Sequence, residues 1–263
     1  MLMSARLMKH WAISVTGNIF PKHSILLLVL CCSYSWTRAQ KNVQHQAQIW
    51  HGIYVNVPIS KCFQLGSEIQ ERHFVTPVAQ QQFLVRNQLF YNLSKDAKAI
   101  LGISHFQHGP SKPNIKNAIT IPEWRLEIGL SNRQVYKNLI VQHRYRWESR
   151  FYKQVDNNQL SKKYSFSHFR LRYQLGIDIP LIKKKSKELP LVTLKLREEV
   201  MLNIGASILY NIFDQNRLSA GLYATPNANV GFEIAYLNLF QQQARGTDFY
   251  NRNILRLSFY YNI

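Results

Sequence analysis

The chain has 263 residues, 46% hydrophobic and 13% aromatic, which is too apolar for a disordered chain and suits one large domain. Lys and Arg number 33 against 14 Asp and Glu, a formal charge of +19. The partners such a charge attracts are anionic: nucleic acid, lipid headgroups or small solutes.

The first landmark is Ile25 to Cys32, ILLLVLCC, preceded by Lys22 and followed by Thr37-Arg38-Ala39-Gln40. A short apolar run followed by small residues three and one before a break is a secretory signal, so residues 1–39 are expected to be a cleaved signal peptide. The run is too short for a spanning helix, which needs about twenty apolar residues. A lipoprotein acylated on Cys31 or Cys32 is the alternative, although the bulky Leu30 fits that motif poorly. Cys62 is then the one cysteine left. That leaves no intramolecular disulfide and no Cys-based metal site, and Cys62 reads as a small strand residue.

From Ile49–Val57 onward the pattern is alternation with a period of two, the signature of strands. Pro122, Trp124, Leu126, Ile128 and Leu130 alternate with Glu123, Arg125, Glu127 and Gly129. In Val141–Phe151 one face carries Val141, His143, Tyr145, Trp147 and Phe151, and the other Gln142, Arg144, Arg146, Glu148 and Arg150. In Phe169–Ile179 the apolar set opposes Arg170, Arg172, Gln174 and Asp178. Val192 to Leu202 repeats the pattern against Lys195, Arg197 and Glu199, with Glu198 breaking the apolar side. Leu218–Leu222 and Leu255–Ile263 complete it, and the sequence ends inside a strand, as outer-membrane barrels present themselves to their assembly machinery.

Alternation alone fits a soluble sandwich equally well. Segments of ten to thirteen residues instead of the usual five or six, arginines in rows on the polar side, and Trp and Tyr near the segment ends favour a membrane wall. The expected fold is an all-β, closed, antiparallel up-and-down transmembrane barrel over residues 40–263, in the outer membrane of a Gram-negative bacterium and in contact with its lipids. Eleven segments are visible; the even number usual for such barrels sets the expectation at twelve, with ten as the fallback. Longer connections are expected at Gln107–Thr120, Tyr152–Lys163, Gly205–Phe213 and Gln241–Tyr250, and a solvated basic turn at Lys183-Lys184-Lys185.

The polar faces name the candidate lumen residues: Arg125, Glu127, Arg144, Arg146, Glu148, Arg150, Arg170, Arg172, Lys195, Arg197, Glu199, Arg217 and Glu233. One reading is structural, an Arg–Glu ladder that fills a narrow interior and locks its register. The other is a narrow pore or binding lumen for small anions, because nine bases oppose four acids among these residues. A lipid-modifying enzyme is a weaker alternative. His143 and Ser149 lie on one strand roughly 20 Å apart by strand rise, His168 has no Ser–Asp pattern beside it, and His105 and His108 lack a third metal ligand. No metal or other cofactor is expected. A nucleic-acid binder conflicts with the leader and lacks a recognition motif. A barrel whose outside loops bind a partner is a further possibility.

The runs Arg144-Tyr145-Arg146-Trp147-Glu148-Ser149-Arg150, Phe169-Arg170-Leu171-Arg172, Glu199 and Asp214-Gln215-Asn216-Arg217, with a Trp-containing first strand at Trp50, resemble an uncharacterised family of outer-membrane β-barrels from Bacteroidetes-type bacteria. The resemblance covers essentially the whole chain after the leader. It implies the fold and the compartment and implies no activity.

Overall fold

The computed structural model describes residues 41–115, 119–157, 159–183 and 190–263; the expected leader and most of the lysine turn lie outside the described residues. Eleven strands run in chain order: β1 (Asn42–Pro58), β2 (Phe63–Phe74), β3 (Ala79–Asn92), β4 (Ala97–His108), β5 (Ile121–Val135), β6 (Ile140–Asp156), β7 (Gln159–Lys183), β8 (Pro190–Ile204), β9 (Phe213–Ala224), β10 (Val230–Gln242) and β11 (Asp248–Asn262). Each pairs antiparallel with the next, and β1 pairs with both β2 and β11, so the wall is closed.

The twelfth strand expected from the even-number rule has no place in this wall. With eleven strands an up-and-down chain brings its first and last strands side by side in the same direction. The β1–β11 seam is accordingly parallel, from Asn42↔Asp248 to Asn56↔Asn262. Closure removes every strand edge, which is the condition for a sheet to sit in lipid.

The outer face is apolar. Leu101, Ile103, Leu126, Ile128, Leu222, Ile234 and Leu255 stand exposed around the middle. Aromatic rings pair toward both ends: Phe63–Tyr91 (5.0 Å) and Phe232–Phe259 (5.3 Å) near the C-terminal end of the wall, Phe151–Phe166 (5.6 Å) and His105–Trp124 (4.7 Å) near the other. A soluble protein would bury such a surface, whereas a bilayer with interfacial aromatics covers it. His143 faces outward, its Nδ1 2.9 Å from the Tyr173 hydroxyl, and Glu198 is exposed and bonded to Asn216.

Two local expectations are corrected. Tyr152–Lys163 is a strand hairpin, not a long loop: Val155↔Leu160 and Asp156↔Gln159 continue the ladder, and Asn157 (φ 47°) takes the left-handed turn position that Asn tolerates. The hairpin rises past its neighbours, since β8 pairs β7 only from Phe169 onward, and with few apolar residues besides Val155 and Leu160 its sequence looks like a loop. Cys62 sits exposed in the β1–β2 connection, not in a strand.

Bulges at three strands matter for the interior. The β2–β3 register slips at Arg72/His73 and leaves Gln81 unpaired. The β6–β7 register slips at Arg150/Phe151 and leaves Ser167 extra. The β8–β9 register slips at Met201/Leu202 and leaves Asp214 extra. A bulge re-aims side chains and is frequent at barrel rims.

Candidate functional site

The inner face divides into two arcs. Over β4–β8 it is a lattice of arginines and carboxylates. Glu148, fully buried, accepts from Arg170 (Nε 2.8 Å, Nη2 2.5 Å) and from Arg172 (Nη1 2.5 Å). Glu199 takes a fork from Arg172 (both oxygens at 2.8 Å) and lies 3.2 Å from Arg146 and 3.4 Å from Arg144. Glu123 accepts from the Nε of Arg125 and of Arg150, each at 2.6 Å, and lies 2.5 Å from His108 Nε2. Glu127 neighbours Arg146 (3.5 Å) and bonds Gln88. Asp214, turned inward by its bulge, holds Arg170 at 2.8 Å. Cross-strand neighbours on one face of a sheet are within such reach, and the planar guanidinium forks match carboxylates.

Over β9–β11, β1 and β2 the interior is different. β10 and β11 present Leu237, Leu239 and Ile254, which cluster with Trp50 of β1. Three of the arginines here are held by glutamines. Arg72 donates its Nε to Gln70 Oε1 (2.6 Å) and also bonds Gln82. Arg217 donates to Gln215 Oε1 (3.0 Å), and Arg252 donates to Gln46 (2.7 Å) and Gln241 (2.5 Å). The guanidinium of Arg72 lies 3.8 Å from the Trp50 ring centre and that of Arg217 5.6 Å. Nearer the C-terminal end, Glu233 pairs with Arg256 and with Lys195 at 3.5 Å, whose ammonium sits 3.4 Å over the Tyr223 ring.

Two cavities of about 290 Å³ and about 110 Å³ follow one another along the interior. Trp50, Arg72, Arg86, Arg172 and Arg217 line both and form a belt between them. A groove at the C-terminal rim, lined by Lys98 and Arg133, shares Gln142, Arg144 and Gln174 with the larger cavity. Twelve arginines and Lys195 line the two cavities, whereas the carboxylates that reach them are Glu68, Glu199, Asp214 and Glu233. Glu123, Glu127 and Glu148 are buried in the wall beneath the arginines they hold. The bases therefore cover the acids, and the surface offered to water is cationic.

The structure places Arg144, Arg146, Arg172, Arg197, Glu199, Arg217, Lys195 and Glu233 around the larger cavity, and Arg125, Arg150 and Arg170 around the smaller. Glu127 and Glu148 lie behind these arginines. Arg197 pairs with Asp178 across β7–β8. Alternation alone does not bring out Arg72, Arg86, Arg252 and Glu68, nor the glutamines that hold Arg72, Arg217 and Arg252. Glu123 and Arg256 fall on the polar sides of β5 and β11, outside the candidate lumen set.

The β7 bulge also brings Ser167 Oγ to 2.8 Å from His168 Nδ1, a pair that period-two reasoning puts on opposite faces. Arg150 Nη1 lies 3.0 Å from His168 Nε2. A guanidinium only donates, so Nε2 accepts and the ring proton sits on Nδ1, directed at Ser167. In that tautomer the ring cannot take the serine proton, and the pair is not set as nucleophile and base. Among the described residues no group of three or more His, Cys, Asp or Glu could hold a metal ion.

Two solved structures resemble the chain. The NanC porin, in a rhombohedral crystal form, is 12% identical with a TM-score of 0.46, over 78% of this chain and 93% of that one. The siderophore receptor PirA from Pseudomonas aeruginosa is 10% identical with a TM-score of 0.27, over 72% of this chain and 35% of that one. No curated protein matches the sequence. The family described as "Protein of unknown function (DUF2490)" matches residues 47–251, most of the sequence, and the chain belongs to that family.

Proposed function

We propose that the protein is a narrow, anion-selective channel of a bacterial outer membrane, exported by its leader and inserted by the barrel assembly machinery. The observation that carries this reading is the lining of the two cavities, thirteen bases against four carboxylates. Fixed charge of one sign in a confined lumen selects ions of the other. The arginine belt sets the bore, and the basic rim beside Arg144 gathers anions at the entrance.

The Arg–Glu lattice of β4–β8 favours a second reading, a closed barrel that serves the envelope mechanically. Single-channel recording in a planar bilayer under a salt gradient separates the two. The channel gives discrete steps with a reversal potential displaced toward that of chloride. A protein shown by heat-shifted gel mobility to be a folded barrel, yet silent in the bilayer, would overturn the channel.

A further inference from the structure

We propose that the smaller cavity contains a saturable site for one small hydrophilic oxyanion, a carboxylate or a phosphate, held by Arg72, Arg217 and Arg252. The site rests on the channel reading above and gives that channel a ligand class. Its basis is how these three arginines are held. On β5, Glu123 grips the Nε of Arg125 two residues along the same face. On β2 and β9 the same device recurs with a neutral acceptor: Gln70 grips Arg72 and Gln215 grips Arg217. Arg252 likewise rests on Gln46 and Gln241. A glutamine fixes the direction of a guanidinium and leaves its charge in place.

Among the described residues no carboxylate lies within ion-pair distance of Arg72 or Arg252, and the nearest to Arg217 is Glu199 at 3.9 Å. All three cations line the one cavity of about 110 Å³, and its single carboxylate, Asp214, is committed to Arg170 at 2.8 Å. Buried charge without a counterion is costly, and a bound oxyanion supplies what the glutamines do not. Planar guanidinium forks match carboxylate and phosphate oxygens with paired hydrogen bonds, an advantage that chloride does not share. The cavity is small beside the usual ligand pocket of about 300–1,000 Å³, and amides of Gln48, Gln82 and Gln215 line it, so the fitting anion is compact and polar.

Arg72 stacks on Trp50, so an anion drawn to Arg72 shifts that indole's fluorescence. The full chain, purified in detergent, is titrated with sodium phosphate, sodium acetate and sodium chloride at constant ionic strength, with Trp50→Phe assigning the signal. The site gives a saturable change with phosphate or acetate and none with chloride; the tighter of the two identifies the ligand as phosphate-like or carboxylate-like. Arg217→Gln and Arg72→Gln each raise the Kd at least about tenfold, as loss of a charged hydrogen bond does.

A chloride-like, non-saturating response to both oxyanions overturns the site, as does an unchanged Kd in both variants when gel mobility shows them folded. The reading does not depend on current. Anion-preferring conductance without saturable binding removes the site and keeps the channel. Saturable binding without conductance keeps the site and removes the channel.

Discussion

Neutralising Glu148 isolates what the buried lattice contributes. Its carboxylate is fully buried and holds Arg170 and Arg172 at 2.5 Å each, with Arg125 3.9 Å away. Removing one partner of a buried ion pair costs about 3–5 kcal/mol, because the other charge stays buried and unpaired. Here each arginine keeps a second carboxylate: Asp214 for Arg170, Glu199 for Arg172 and Glu123 for Arg125. Glu148→Gln also keeps the shape. The expected loss is therefore at the lower end, about 3 kcal/mol, or roughly a hundredfold in the unfolding equilibrium. Urea titration of the barrel in lipid vesicles, followed by gel mobility, measures it. The comparison is Asp96→Asn, which breaks the Arg133–Asp96 pair at 3.2 Å, whose side chains are 53% and 31% exposed. An exposed pair contributes about 1 kcal/mol or less. If Glu148→Gln moves the midpoint no further than Asp96→Asn, the lattice is hydrated and the assignment of stability to it is wrong.

Two further outcomes test the orientation of the wall and the entrance. Leu126 stands 50% exposed in the middle of β5 on the outer face. Leu126→Arg should cost about 2–4 kcal/mol in a bilayer, as a midplane cation does, and much less in detergent; equal effects in the two would argue against a lipid-facing position. Arg144 is 34% exposed in its side chain at the junction of the rim groove and the larger cavity, and Glu199, 3.4 Å away, keeps Arg146 and Arg172 as partners when Arg144 is reversed. Arg144→Glu changes the interaction with a passing anion by about 1–2 kcal/mol in a water-like medium, so the anion-to-cation permeability ratio should fall several-fold. An unchanged ratio would take Arg144 out of the permeation path.

The wall was legible where one face meets lipid and the other meets charge. In β5 to β8 the polar set from Arg125 to Glu199 separates from Trp124, Tyr145, Trp147 and Leu171 with Glu198 the exception, and parity assigns the faces. It failed on two physical grounds. β10 is apolar on both sides beyond Glu233, with Leu237 and Leu239 inward and Phe232 and Ile234 outward, so little besides Glu233 marks its inner face. The end of β2 is polar on both sides, with Arg72 inward beside Glu71 and His73. Bulges defeat parity outright: Asp214 and Gln215 are consecutive yet both buried, and Ser167 meets His168. The eleven segments visible in the sequence equal the eleven strands in number, and only the even-number rule raised the expectation to twelve. The even-number rule is a regularity of known barrels, whereas closure requires only that the first and last strands pair, and β1 and β11 do so in parallel.

The contrast between the two arcs follows from one substitution of chemistry, carboxylate for amide. If stability alone shaped the interior, Gln70 and Gln215 would be better as Glu, since the geometry that grips Arg125 already exists at Arg72 and Arg217. A glutamate there would convert a neutral hydrogen bond into a charge-assisted one, roughly twice as strong. It would also cancel the charge that the cavity presents. Among the described residues, retaining amides leaves Arg72 without a carboxylate and Arg217 with only Glu199 at 3.9 Å beside Trp50, a local cost carried by the well-paired lattice on the opposite wall. That division fits the general pattern in which strain and unpaired charge gather where a protein meets its ligand while the surrounding fold supplies stability. On the proposed reading, the lattice over β4–β8 fixes register and shape, and the amide-held Arg72, Arg217 and Arg252 keep their charge available to an entering anion.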